Sequence, residues 1–491
     1  MGYMRTRKVM INPGHPLFDY AKTITSLSNN LANAALFRER QVFTAVSKPE
    51  NEWTANEREV MEEIRHVLPL MKQKRQLPAK GRSVLGSGYL YDVLFLTGNP
   101  DYFAAGLPRQ SAQYIVKQAA MDMFSFLKSC RVYAQDPSGF TGKPKLPGYK
   151  RKGGCCTAVI TNQDCRIKTG ADGKWYAELP FIKKVPLCIG EPFQDARLKE
   201  VTITPDNGRF AFSFKFEVDQ ELPAAKKESV RICAVDFGVE NLMAVTNNCG
   251  LPSLLYKGGT AKSANQLYNK TIARLVSIQT LETGKKFIPT PEYHAATSKR
   301  NDRIRDLFLK DAKHLVTWCV ENRIDTIVLG VNKGWKQQVT LGRKNNQEFV
   351  QLPHAMLRSM ITYLALWNGI RVIEQEESYT SKASFLDDDS IPVYQQGNAP
   401  SYCFSGKRIS RGQYRSADGI ILNADINGSA NILRKAFPDA FAYGMPDLTK
   451  TEIIRHPDLE SCRQNRRNQT AAAKSISHAK QKRIARKRTV A

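Results

Sequence analysis

The stretch from Val230 to Thr246, VRICAVDFGVENLMAVT, decides the fold of the surrounding chain. Two short apolar runs flank an acidic turn, which predicts a buried strand, a tight turn and a second strand. Asp236 ends the first strand, and burying a carboxylate there costs several kcal/mol unless something compensates it. Asp236 is therefore either a turn or N-cap residue or a metal ligand.

Strands and helices alternate after this hairpin. A long helix is predicted from Asp302 to Arg323, and the runs DTIVLG and GIRVIE predict two buried strands separated by a helix near HAMLRSMITYLALW. Asp425, in NADINGSANILRKAF, stands near the start of another helix, where an N-cap is the alternative to a metal ligand. The alternation predicts an α/β domain over residues 229–460, with a polar insertion at 384–423.

The chain before residue 229 predicts two further domains. Residues 14–132 have mostly helical patterns and predict a helical domain. Residues 1–13 predict one strand, and residues 133–228 predict short antiparallel strands, which together would form a small β-barrel with the helical domain inserted. In RFAFSFKFEV, after an Asn-Gly turn, alternate residues are phenylalanines that form either the barrel core or a base-stacking surface; they are Phe210, Phe212, Phe214 and Phe216.

The charge balance points to a polyanionic partner. The chain has 491 residues and a formal net charge of +27, and such a chain repels itself unless it binds a polyanion. Nucleic acid is the first candidate and an anionic membrane surface the second. The sequence has no apolar run of membrane-spanning length and no apolar signal core, so a cytoplasmic protein is expected. The basic tail, residues 461–491, is expected to be disordered until it binds nucleic acid.

The ten cysteines are scattered, and no pair has the C-x-x-C spacing of a zinc site. Cys155, Cys156 and Cys165 form the one cluster, for which free thiols in a reducing cytosol are the alternative to a metal site. The insertion at 384–423 contains only Cys403. Zinc is therefore not expected.

Several motifs together resemble one family. AVDFGVENLMAV resembles the first motif of a RuvC-type nuclease domain with the RNase H fold, and NADINGSANI, with Asp425, Asn427 and Asn431, resembles the third. YTSK between them, and the order of barrel, helices and split nuclease domain, resemble the TnpB (OrfB) proteins. These are transposon-encoded, RNA-guided DNA endonucleases related to compact type V CRISPR effectors. The resemblance is strongest from Arg231 to Arg434.

The resemblance implies a metal-dependent site but requires one replacement. Gly330 stands where the second RuvC motif normally ends in a glutamate. Some relatives carry a relocated glutamate shortly before Tyr-Thr-Ser, and Glu377 matches that position. Glu376 is the alternative, because adjacent strand residues point to opposite faces. Asp236, Glu377 and Asp425 would then bind two Mg²⁺ ions, or Mn²⁺ as a substitute.

The implied fold is a multidomain α+β protein in which a RuvC/RNase H-like nuclease domain accompanies the barrel and a helical recognition domain. The implied partners are a guide RNA and double-stranded target DNA, without a membrane. A compact type V CRISPR effector, a nuclease-dead RNA-guided DNA-binding repressor and a transposase without a guide remain alternatives. Five basic residues are candidate nucleic-acid contacts: Lys336, Lys382, Lys407, Arg408 and Arg411.

Other polar residues have simpler expected roles. Asn427 and Asn431 are expected to orient nearby backbone rather than to bind metal. The trio from Asp387 to Asp389 is expected to form a solvated loop. Packing is expected for the separated histidines, which are His294, His314 and His354.

Overall fold

The computed structural model describes residues 3–219, 223, 230–332, 351–393, 402–442, 444 and 446–455. The chain has a mixed α/β fold and divides into two compact units, Met1–Gln220 and Glu221–Ala491. Lys336 and the basic tail, residues 461–491, fall outside the described residues. No helix in the described ranges has the length and apolar character needed to cross a membrane.

Unit 1 contains two antiparallel sheets. Its strands are β1 (Tyr3–Ile11), β2 (Ala158–Thr161), β3 (Arg166–Thr169), β4 (Trp175–Glu178), β5 (Leu187–Gly190), β6 (Ala196–Asp206) and β7 (Arg209–Val218). The first sheet has the order β1-β7-β6-β2 and the second the order β3-β4-β5. The N-terminal strand therefore pairs with the predicted hairpin, with Tyr3 opposite Val218 and Ile11 opposite Phe210. Closure into a barrel remains a prediction.

The alternate phenylalanines of β7 are buried and belong to the core of unit 1. Phe216 packs against Trp175 with 5.1 Å between ring centres, and Phe210 packs against Phe18 at 5.3 Å. The core interpretation is confirmed, and a base-stacking role on this face is excluded by burial.

Four long helices follow β1 in the chain and precede β2. They are α1 (Phe18–Ala45), α2 (Ala55–Val67), α3 (Ser87–Leu96) and α4 (Arg109–Gln135). The start of α2 is fixed by a capping box, in which the Glu57 carboxylate accepts the Thr54 N–H at 2.7 Å and the Thr54 hydroxyl accepts the Glu57 N–H.

Glu39 on α1 is a buried carboxyl group. One oxygen, Oε2, accepts the backbone N–H of Leu85 at 3.0 Å, and the side chain has no exposed surface. Burial raises the pKa of Glu39 from 4.5 to about 8, although the Leu85 hydrogen bond opposes the shift. The folded protein therefore holds this proton up to a higher pH than the unfolded chain does.

We expect Glu39 to make unit 1 less stable as the pH rises. Its contribution is complete below pH 4.5, the ordinary pKa, and is lost as the pH rises through about 8, the folded pKa. Hydrogen exchange should report a fall of a few kcal/mol in the opening free energy at Leu85 between pH 5 and pH 8. Glu39→Gln keeps an acceptor for Leu85 and should flatten this dependence. Equal slopes in both proteins would contradict the account.

Unit 2 contains a six-stranded sheet, a three-stranded sheet and four helices within the described residues. The strands are β8 (Ile232–Phe237), β9 (Asn241–Asn247), β10 (Ser253–Lys257), β11 (Thr326–Val331), β12 (Arg371–Glu376), β13 (Lys407–Ser410), β14 (Gln413–Arg415), β15 (Ile421–Asn423) and β16 (Thr451–Ile454). The helices are α5 (Gly259–Thr283), α6 (Pro291–Glu321), α7 (His354–Trp367) and α8 (Ala424–Ala436).

The large sheet has the order β12-β11-β8-β9-β10-β16, and the small sheet the order β13-β14-β15. β8 and β9 form the antiparallel hairpin predicted from VRICAVDFGVENLMAVT. β11 runs parallel to both β8 and β12, so the carboxyl ends of these three strands meet at one edge of the sheet. This order is compatible with the expected RNase H-like α/β domain and places the candidate residues at that edge.

Helix α6 is longer than predicted. It starts at Pro291 rather than at Asp302, because Thr290 caps it by accepting the Tyr293 N–H at 3.3 Å. The first turns carry few apolar residues and therefore lack the periodic signal that marked the rest. The predicted apolar stripe is buried as expected; it comprises Ile304, Phe308, Ala312, Leu315 and Cys319.

Candidate active site

Asp236 lies inside β8 and pairs with Ala244 of β9. This strand position excludes the turn and N-cap alternatives. The carboxylate is directed towards α8, where a Cβ atom added to Gly428 would lie 2.8 Å from Asp236 Oδ2. The glycine therefore leaves room for the carboxylate between the sheet and the helix.

Asp425 is the second residue of α8, and it does not cap the helix. Asn423 is the N-cap, since its side chain accepts the N–H groups of Asp425 and Ile426 at 2.9 and 3.3 Å. Asp425 Oδ2 accepts a hydrogen bond from Asn241 Nδ2 at 2.7 Å, and Lys257 donates to Asn241 Oδ1 at 2.8 Å. The first residue of β9 thus orients the carboxylate of α8.

Glu377 follows β12 directly, and its carboxylate occupies the space beside Gly330. A Cβ atom added to Gly330 would lie 2.7 Å from Glu377 Oε2 and 2.7 Å from Ile432 Cδ1. Glu377 Oε2 is buried and has no hydrogen-bond partner within the described part of the chain. Because Gly330 has no side chain, it leaves a space near the end of β11. The carboxylate of Glu377, which follows the neighbouring strand β12, fills this space.

Glu376 is held away by different partners. Its Oε2 accepts a hydrogen bond from Lys435 Nζ at 2.6 Å, and its Oε1 accepts the Ser378 N–H at 2.6 Å. Burial raises the pKa of Glu376, but these hydrogen bonds outweigh burial and hold it below its ordinary value. Glu376 is thus a satisfied ion-pair residue, whereas Glu377 has an unpartnered oxygen, and this contrast supports Glu377 as the relocated glutamate.

The carboxylates of the site repel one another. Burial raises the pKa of Asp236 well above its ordinary range, and the charges of Glu377 and Asp425 raise it further, while Arg408 opposes them. Burial also raises the pKa of Glu377 to about 7, against the opposing charges of Arg358 and Lys435. Neighbouring cations relieve such repulsion, so this group of acids favours a bound cation.

The donor set fits a divalent cation, although the described residues hold no ready-made cluster of three or more His, Cys, Asp or Glu side chains for one. Carboxylate oxygens are the ligands that Mg²⁺ and Mn²⁺ prefer. The unpartnered oxygen of Glu377 provides acceptor capacity beside Asp236, and the missing side chains of Gly330 and Gly428 make room for the two carboxylates themselves. The three carboxylates would have to rearrange to share an ion.

Two asparagines tie the segment after Glu377 to α8. Asn427 Nδ2 donates to the Ala383 carbonyl at 2.7 Å, and Asn431 Nδ2 donates to the Thr380 carbonyl at 2.8 Å. The Thr380 hydroxyl in turn donates to the Glu377 carbonyl at 2.8 Å. The predicted backbone-orienting role of both asparagines is confirmed, and it connects the YTSK motif with the position of Glu377.

The aspartate trio is not simply a solvated loop, and that prediction is wrong for two of its members. Asp389 Oδ2 accepts the Ser384 N–H at 2.7 Å and Asp387 Oδ2 accepts the Ala417 N–H at 2.9 Å. Asp388 is exposed but forms an ion pair with Arg434. These contacts fasten the described parts of the insertion to one another and to α8.

Two of the basic candidates contact acidic residues at this edge of the sheet. Arg408 Nη2 lies 3.6 Å from Asp425 Oδ1, and Arg411 Nη2 lies 3.4 Å from Glu240 Oε1. Lys407 is exposed on β13, and Lys382 is exposed with Nζ 5.9 Å from the centre of the Tyr379 ring. Contact with nucleic acid remains a prediction for all of them.

Two of the three histidines have the packing role expected of them. His314 Nδ1 shares a hydrogen bond with the Tyr256 hydroxyl at 2.9 Å, and buried His354 contacts the Gly238 carbonyl through Nε2 at 3.1 Å. Sequence reasoning missed Asn241, Lys435 and Gly428. No local pattern marks them, because their partners are distant in the chain; 184 positions separate Asn241 from Asp425.

If this site cleaves DNA, as proposed below, Gly330→Ala should impair cleavage, because the new methyl group would collide with the Glu377 carboxylate and with buried Ile432. Misplacing a reacting or ligand group by about 1 Å costs roughly 10²-fold in rate, and we expect a loss of that order in single-turnover DNA cleavage. Gly259→Ala, at the start of α5, is the matched control, since nothing lies within 4 Å of its Cβ position. Normal cleavage by Gly330→Ala would show that Glu377 does not depend on this space.

Comparison with known proteins gives two family matches. Residues 213–336 match a family model described as OrfB_IS605, probable transposase, and residues 354–432 match the Cas12f1-like TNB domain. The TnpB-like protein ORF457 of Acidianus two-tailed virus is 25% identical over 224 residues, which are 44% of this chain and 44% of that protein. The match thus spans less than half of the curated relative. These findings confirm the resemblance to TnpB (OrfB) proteins and to CRISPR-related relatives.

Two solved structures are similar over most of the chain. The Cas12f1 chain of a complex with sgRNA and target DNA has a TM-score of 0.43 and 12% identity, covering 88% of this chain and 98% of that one. The mini-RNA-guided endonuclease CRISPR-Cas phi3 has a TM-score of 0.46 and 10% identity, covering 89% and 92%. At these TM-scores neither likeness decides the fold.

Proposed function

We propose that this chain is a TnpB-like, RNA-guided DNA endonuclease that cleaves target DNA next to a short flanking motif, with two metal ions. The observation that carries the proposal is the placement of Glu377. Its unpartnered carboxylate oxygen fills the space beside Gly330 and raises the pKa of Asp236. Together with Asp425 this provides three carboxylates from three separate elements, which is the ligand type that two-metal phosphodiester hydrolysis requires.

Asp236, on the central strand β8, would hold the two ions together with Glu377 and Asp425. When bound, Mg²⁺ supplies stabilisation of the negative charge that develops on the phosphoryl oxygens. Asn241 holds Asp425 in orientation, with Lys257 behind it. Lys435 binds Glu376 and so leaves only its neighbour to enter the site.

The basic hairpin β13–β14 would bind the phosphates of the strand at the site. Arg408 stands 3.6 Å from Asp425, close enough to contact a phosphate held over the carboxylates.

The formal net charge of +27 supports binding of nucleic-acid backbones elsewhere on the chain. Base pairing with a guide RNA would then specify the target, while the protein recognises only the flanking motif. The barrel and the helical domain would hold the guide RNA and its heteroduplex.

A nuclease-dead repressor is the competing function, and Gly330 is the observation in its favour. The position of Glu377 opposes it, because a carboxylate lies where the usual ligand is missing. A compact type V effector would use the same site and differ in its genomic neighbourhood, with repeat arrays in place of transposon ends.

Sequencing the RNA that co-purifies with the protein tests the guided function. A discrete RNA encoded beside the gene is the expected result. A mixture of random fragments would contradict guidance. The remaining functions would then be a positively charged nuclease without a guide, or a transposase.

A further inference from the structure

Three aromatic rings and one lysine gather beside Glu377. The centre of the Tyr379 ring lies 5.1 Å from that of Tyr402 and 6.4 Å from that of Phe404. Lys382 Nζ lies 5.9 Å from the Tyr379 ring centre. These four residues are called the Tyr379 cluster below. Tyr402 is 40% exposed and Lys382 is exposed, so the cluster is not a closed core.

Tyr379 holds an unfavourable backbone conformation. Its φ of 64° lies in the left-handed region, which costs a non-glycine residue about 1–2 kcal/mol. The conformation is fixed from both sides, since the Tyr379 carbonyl accepts the N–H groups of Lys382 and Ala383 at 3.0 Å and Asn431 holds the Thr380 carbonyl. Glycine would avoid this cost, so the tyrosine ring has a use that a turn alone does not explain.

We propose that the Tyr379 cluster is a stacking site for one unpaired base of the DNA strand that the nuclease cuts. This inference rests on the proposed function and deepens it. Every base has a π-face that stacks on aromatic side chains, and an adjacent cation can pair with the phosphate that follows. Tyr379 comes two residues after Glu377, so a base stacked there fixes the position of the neighbouring phosphate relative to the carboxylates.

The rings of the cluster keep accessible surface. Tyr379 and Tyr402 meet edge to face, with 72° between their planes; Tyr402 is 40% exposed and Tyr379 is half-buried. Lys382 adds a positive charge at the same place, which favours an anionic strand over an apolar or basic protein segment. The site therefore suits a base with its phosphate.

Fluorescence of 2-aminopurine, moved one nucleotide at a time across the cut site, tests the proposal. The full chain with its co-purified RNA is used in the Asp236→Ala background, which keeps the strand uncut. We expect strong quenching at one position of the DNA. Tyr379→Leu retains apolar volume but lacks a π-face, and it should abolish that quenching and weaken binding of the single strand about tenfold. Tyr379→Phe should retain both.

The controls separate stacking from packing and from loss of the proposed function. Tyr363→Ala removes another exposed tyrosine, on α7, and should change nothing. Lys382→Gln should reduce the salt dependence of binding by about one phosphate contact. Guided DNA binding without position-specific quenching would overturn the stacking site alone. Absence of a bound guide would instead overturn the proposed function.

Discussion

Asp236→Ala will lower the single-turnover rate of DNA cleavage by roughly 10³-fold or more, because it removes a carboxylate that would hold the metal ions, which contribute several kcal/mol of transition-state stabilisation. Binding of guide RNA and of target DNA should remain intact, since Asp236 is a single side chain at the sheet edge. Filter binding and cleavage of the same preparation measure both quantities. Loss of RNA binding in this variant would show that Asp236 is structural.

Asp236→Asn adds a second readout that does not depend on cleavage. In the metal-free protein the charged form of Asp236 is destabilised by burial and by the charges of Glu377 and Asp425. The amide of the variant carries no charge, so the variant should have a higher unfolding temperature in EDTA. Mg²⁺ should then stabilise the wild type more than the variant. Glu240→Gln, in the turn after β8, is the matched control, because Glu240 already pairs with Lys262 and Arg411. If Asp236→Asn were less stable than the wild type in EDTA, the inferred repulsion between Asp236 and the other two carboxylates would be wrong.

Glu377→Gln and Glu376→Gln should differ strongly although the two residues are adjacent. Glu377→Gln removes a charged ligand beside Asp236, and we expect a loss of roughly 10²–10³-fold in single-turnover cleavage. Glu376→Gln should cleave at close to the wild-type rate but lower the free energy of unfolding by about 1–2 kcal/mol, because Lys435 loses its ionic partner. Cleavage assays and urea unfolding measure the two effects.

The two variants together show whether the relocated ligand is Glu377, Glu376 or neither of them. Normal cleavage by both variants would show that the relocated-ligand hypothesis is wrong. The reverse order of effects would assign the ligand to Glu376, which would require its carboxylate to leave Lys435.

The sequence predicted the parts of the site that local patterns carry. The hairpin around Asp236 and the helix start at Asp425 both stand in motifs whose alternation and polarity are visible within ten residues, and the structure has both elements. The strands β11 and β12 were also expected from two short apolar runs, whereas their parallel pairing is a finding of the structure. Their common carboxyl edge follows from the direction of the strands.

Other features depend on contacts between distant residues. Lys435 binds Glu376 from 59 positions away in the chain and so distinguishes the two glutamates. The role of Gly330 becomes visible only when Glu377 is found beside it. The aspartate trio looked like a solvated run because the donors to its carboxylates, the N–H groups of Ser384 and Ala417, belong to turns that a charge pattern does not show. The early start of α6 depended on the single cap at Thr290.

Reprogrammed cleavage tests the central claim most directly. The protein is combined with an RNA whose guide segment has been exchanged, and it is given Mg²⁺ and a plasmid library with the matching target beside randomised flanks. The account predicts cleavage of matched plasmids only, beside one enriched flanking motif, with the cut following each new guide and lost in EDTA and in Asp236→Ala. Cleavage that ignores the guide, or guided binding without any cleavage, would contradict it.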